Sequence, residues 1–166
     1  MAAILTPALA LRYLRQLSTD LRAAVVLDDD GAALAGDDHL AAAAAPLVEL
    51  LPDGVGELVV RVGDGAGARG WALVARAHGA TAVLAVGPIA PLELLRHDLA
   101  EALAALRDDR AGAVQPAPRS LPALVVDGPS RRVQTPGGDE FAVQTAIFAG
   151  MGLFDAVAAG KRGANG

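Results

Sequence analysis

Apolar positions in the first twenty residues recur at helical spacing. Ala10, Leu14, Leu17 and Leu21 fall on one side, while Arg12, Arg15, Gln16 and Thr19 fall elsewhere. Thr6 followed by Pro7 supplies the start, a hydroxyl that caps free amides and a proline whose missing N–H costs nothing in a first turn. The pattern predicts a helix over 6–21. Short extended runs come next: Ala24–Leu27 and Ala32–Ala35 read as strands around the Asp28–Gly31 turn, where Asp-Gly favours left-handed backbone. Asp37 or Asp38 then caps a second helix with Leu40, Ala43, Ala44, Leu47 and Leu50 on one side, and Pro46 must kink or restart it. Three more strands are expected at Glu57–Val62, Trp71–His78 and Thr81–Val86. Leu92, Leu95, Leu99, Ala102 and Leu106 mark the most strongly periodic helix of the chain. Over residues 5–108 the order is α-β-β-α-β-β-β-α. Consecutive hairpins make the sheet five-stranded and antiparallel, so the class is α+β.

Inside this pattern, "VGDGAGARGWALV" places Gly65, Gly67 and Gly70 in a G-x-G-x-x-G match. A dinucleotide loop needs a helix opening at the third glycine, so that its N-terminus faces the pyrophosphate. The residues after Gly70 instead alternate with period two, a strand pattern, and a further apolar run begins at Thr81. The glycines are therefore read as a hairpin connection, with no nucleotide cofactor expected.

Composition narrows the functional classes. The net charge of −5 leaves no electrostatic footprint for nucleic acid. Cysteine is absent, which excludes disulfides and thiolate metal sites and suits a reducing compartment. Arg12 and Arg15 interrupt the N-terminal apolar run, and no uncharged apolar stretch reaches the length of a span. A cytoplasmic protein without a membrane span is expected. Asp28, Asp29, Asp30, Asp37 and Asp38 lack the spacing of a calcium loop and read as a solvated turn. His39, His78 and His97 lie on separate elements, and no serine sits in a nucleophile elbow. No catalytic or metal-binding residue is assigned.

Beyond the first domain, residues 109–122 read as a proline- and alanine-rich linker and 161–166 as a disordered end. Between them, 123–160 suggest a small hairpin around Asp127-Gly128 and an amphipathic helix from about Asp139 to Ala159. Val143, Ile147, Met151, Phe154 and Ala158 mark its expected apolar face, with Gly150 and Gly152 each weakening it by roughly 1 kcal/mol. Such a helix cannot stand alone, because ordering its backbone costs about 1–2 kcal/mol per residue. Either it binds a partner or a twin subunit through Phe148, Met151 and Phe154, or it covers an exposed face of its own domain.

The hairpin "AAVVLDDDGAALAG" between a first helix and an alanine-rich second one, together with the helix "LELLRHDLAEALAAL", resembles the roadblock (roadblock-type dynein light chain) family over about two-thirds of the chain. The resemblance implies a roadblock/profilin-like fold with a C-terminal helical extension. It also implies a homodimer in which second helix and third strand meet their copies, here through Leu40, Ala43, Ala44, Leu47, Leu58, Val60 and Val62. The function it implies is a non-enzymatic dimeric adaptor or regulatory protein that modulates or scaffolds a small Ras-like GTPase. The alternative is a ligand-sensing module of the PAS/profilin-like kind.

Overall fold

A computed structural model describes residues 6–18, 20–51, 56–63, 68–77, 79–111, 123–127, 132–133 and 140–164. Helix α1 (Pro7–Leu17) begins as expected, with the Thr6 hydroxyl accepting from the Leu9 amide. It ends four residues early. Ser18 is extended, and Leu21 opens strand β1 (Leu21–Leu27), where it pairs with Val86. The pull of a sheet partner thus overrides the helical spacing of Leu17 and Leu21.

Strand β2 (Ala33–Gly36) returns against β1. In the turn between them, the Asp28 carboxylate accepts from the Asp30 and Ala32 amides, and Gly31 takes a φ of 82°. Gly36 also has positive φ, 98°, but is tightly enclosed: a Cβ there would meet the Ala24 carbonyl and come within 2.9 Å of Leu11 Cδ1. The two glycines should therefore respond differently to alanine. Gly31→Ala should lower stability by about 1–2 kcal/mol, the left-handed penalty alone, and Gly36→Ala by clearly more, as urea unfolding midpoints would report.

Helix α2 (Leu40–Glu49) corrects the expected caps. His39 occupies the N-cap position with no side-chain capping bond, and the Asp37 carboxylate instead pairs with Arg15 at 3.6 Å. Pro46 lies within the helix without dividing it. It and Ala42 are on the solvent side, where water can reach the carbonyl left without a donor.

Strands β3 (Glu57–Gly63), β4 (Ala68–Ala77) and β5 (Ala80–Val86) come next, and helix α3 (Leu92–Ala111) continues past residue 108. Backbone from Gly70 onward is strand, antiparallel to β3, so the glycine match sits in a hairpin and not at a strand–helix junction. Gly65, Gly67, Thr19 and His78 lie outside the described residues.

These five strands form an antiparallel unit ordered β2-β1-β5-β4-β3. The C-terminal region extends it. Strand β6 (Ala123–Asp127) adds to β3 in parallel, and β7 (Arg132–Val133) pairs with β6 as the expected hairpin, giving seven strands among the described residues. Helix α4 (Glu140–Ala164) runs beyond the predicted end at Ala159, so residues 161–164 are helical.

The sheet is covered on both faces. Ala24, Val26, Leu73, Leu84 and Val86 meet Leu11 and Leu14 of α1 and Leu95, Leu99 and Leu103 of α3. Their neighbours Val25, Leu27, Leu58, Val60, Val74 and Val83 face the opposite way, onto α2 and α4. Burial on both sides explains why β5, every residue of which is buried, is apolar throughout except for Thr81.

Candidate interaction surface

The residues expected at a dimer interface are brought together by the fold, on one face and against the chain's own C-terminal region. Leu40, Ala44 and Leu47 of α2 and Leu58, Val60 and Val62 of β3 are buried in one cluster with Ala146, Leu153, Phe154 and Val157 of α4; Ala43 packs half-buried at its margin. The outer edge of β3 is taken by β6, in register from Glu57 opposite Ala123 to Arg61 opposite Asp127.

Helix α4 sits down closely because its inward residues include small ones. A Cβ on Gly150 would stand 2.8 Å from Val62 Cγ2 and 3.4 Å from Val60 Cγ1. Among its described side chains the buried positions are Ala146, Gly150, Leu153, Phe154 and Val157. That corrects the expected face: Ile147 and Met151 are only half-buried at its flank, Ala158 is half-buried, and the side chain of Val143 lies outside the description. Counting large apolar residues missed the contact side. The available signal was the spacing of Ala146, Gly150, Leu153 and Val157, small residues first, which suits close backbone approach.

Of the three residues expected as tail anchors, Phe154 is buried, Met151 is half-buried and Phe148 is 69% exposed. Phe154 is bounded by Arg69, whose guanidinium lies 5.9 Å from the ring centre and 3.1 Å from Asp155. At this exposure the ion pair contributes little, so apolar burial holds α4 in place.

A charge pair that sequence reasoning missed ties the other side of β3 to α3. Glu57 is buried, and both its oxygens accept from Arg96, at 2.7 Å and 3.2 Å; Arg96 also reaches Glu93 at 2.9 Å. The hydrogen bond that Arg96 donates to Glu57 is the main cause that holds its guanidinium above an already high pKa, against the opposing effect of burial. A raised pKa on a base means its stabilisation is complete below the unfolded value and is lost only as pH rises through the folded one. Arg96 therefore stays charged at any neutral or moderately alkaline pH.

Other surfaces lie open among the described residues. On the outer side of α1, Leu9, Tyr13 and Leu17 recur every four residues and are 46%, 45% and 42% exposed. Below the β1–β2 turn, a hollow of about 430 Å³ is lined by Asp28, Ala45, Val48, Glu49, Arg76 and Thr81. Arg76 crosses it, donating to the Val48 carbonyl at 3.2 Å and the Thr81 hydroxyl at 3.4 Å. Among the described residues no group of three or more histidines or carboxylates is gathered as a metal site, and no helix is long and apolar enough to cross a membrane. No protein-family model matches the chain, and no curated protein matches its sequence.

Proposed function

We propose that this chain is a non-enzymatic regulatory adaptor of the roadblock type, which forms a homodimer and acts by binding other proteins, with a small Ras-like GTPase as the partner class. The order of the first eight elements and the antiparallel β2-β1-β5-β4-β3 unit support the roadblock reading. The observation that carries the binding role is the outward row of Leu9, Tyr13 and Leu17. Their neighbours Ala10, Leu11 and Leu14 are the α1 side chains that fill the core, while the row keeps nearly half of its surface outside it. Large apolar side chains with a tyrosine at their centre, set among Arg12 and Arg15, have the composition of a protein-binding surface.

Purification with the full chain as bait tests this reading. The unaltered protein should retain a GTP-binding protein of the Ras-like class, and Leu9→Glu/Tyr13→Glu should lose it with unchanged thermal stability. Equal recovery by both forms, or no GTPase with either, contradicts the proposal.

A ligand-sensing role draws on one observation, the hollow beside Arg76, whose volume lies in the range of small-molecule sites. A metabolite that fills it should raise the melting temperature by mass action, and Arg76→Ala should abolish that rise.

A further inference from the structure

Among the described residues, the C-terminal segment from β6 to α4 contributes to one apolar layer of the molecule only. The two apolar layers of the molecule are separate. The layer made with α1 and α3 contains no residue of this arm among those described, whereas the other is partly made by it. The arm joins α3 through the eleven-residue stretch 112–122, which includes Pro116, Pro118 and Pro122. It meets the rest of the sheet edge-on along β3, in the only parallel pairing among the described strands. Lifting it would remove no described residue of the α1/α3 layer and would uncover the edge of β3, with Leu58, Val60 and Val62 above it, and Leu40, Ala44 and Leu47 of α2.

That surface is adhesive by its chemistry. An apolar strand without proline, "ELVVRVG", would present unpaired amides and carbonyls at an open edge. A second copy satisfies it. Set antiparallel about Val59, two such edges put Glu57 of each opposite Arg61 of the other, with no like charges facing.

We propose that the β6–α4 arm is a removable cap that keeps the chain monomeric at this face, and that a second copy of the chain takes its place when the arm lifts. The proposal rests on the dimeric reading for what replaces the arm, but adds that the dimer is gated by the chain's own C-terminal segment.

The test uses the full-length protein. Val60 Cβ lies 3.9 Å from where a Cβ on Gly150 would stand, close to the mean of about 3.8 Å for disulfides. Since the chain has no cysteine, Val60→Cys/Gly150→Cys, with Val62→Ala to make room, can form one defined bond. Oxidised, this protein should carry the bond within one chain and sediment as a monomer at every concentration. Reduced, it should dimerise at least about tenfold more readily, a difference of about 1.4 kcal/mol in the equilibrium. Gly150→Leu, which forces the arm off Val60 and Val62, should dimerise more strongly still.

The outcomes separate the two ideas. A bond formed between chains means that the arm is exchanged and overturns the cap. An oxidised protein that dimerises as well as the reduced one overturns the cap and leaves the dimeric reading standing. A reduced protein and a folded Gly150→Leu variant that both stay monomeric, with the arm open to protease, overturn both. If Gly150→Leu does not fold, the oxidised and reduced forms decide alone.

Discussion

Arg96→Met should lower the stability of the protein by about 3 kcal/mol, the lower end of the range for stripping a buried charge of its partner. The Glu57 carboxylate would be left in the sheet with neither of its two Arg96 hydrogen bonds, while burial prevents water from replacing them. For a chain of this length the loss corresponds to a fall of roughly 6–12 °C in melting temperature. Glu57→Gln should cost less, because Arg96 keeps Glu93 and remains near solvent. The double variant Glu57→Leu/Arg96→Met should recover much of the single loss, since removing a whole buried pair is often neutral. Additive losses in thermal melts would show that the two side chains do not depend on each other.

Phe154→Ala should have an effect of similar size, about 3–5 kcal/mol for a buried aromatic, but confined to one part of the molecule. The ring lies over Gly70, within 2.9 Å of where a Cβ would be, and belongs to the layer shared by α2, β3 and α4. Among the described residues it is not part of the α1/α3 layer. Limited proteolysis should therefore cut the arm of the variant far faster than that of the unaltered chain, while a core containing the first five strands persists. Phe148→Ala supplies the contrast. Its side chain is mostly outside, so stability should stay within about 0.5 kcal/mol. Uniform cleavage throughout the Phe154→Ala protein would mean that the arm and the core do not open separately.

The first eight elements were legible because each satisfies local rules. Thr6-Pro7 starts a helix, Asp28 and Gly31 turn a hairpin, and Leu95 and Leu99 repeat on a helical face. Leu40, Ala44, Leu47, Leu58, Val60 and Val62 were legible as apolar positions of α2 and β3, but they were expected to meet a second subunit, whereas here they lie against the chain's own α4. That the C-terminal helix could cover a face of its own domain was one of two alternatives, but which face it covers and how β6 pairs were not legible. Pairing of β3 with β6 joins residues some sixty-six positions apart, Glu57 with Ala123, and no local pattern encodes a parallel register of that separation. Helix α4 misled for another reason: its large residues suggested one contact side, but close approach to Val60 and Val62 is possible only where Gly150 presents no side chain. The Glu57–Arg96 pair was equally hidden, because a glutamate at a strand start and an arginine on a helix each look like ordinary surface residues.

Hydrogen exchange on β3 in the full-length chain, at a concentration where it sediments as a monomer, tests the account at its centre. A strand amide points alternately to either neighbour, so a β3 flanked by both β4 and β6 should show slow exchange at every amide from Leu58 to Val62. Fast exchange at every second amide along that stretch would mean the edge is open in the monomer, and the arm does not cover it.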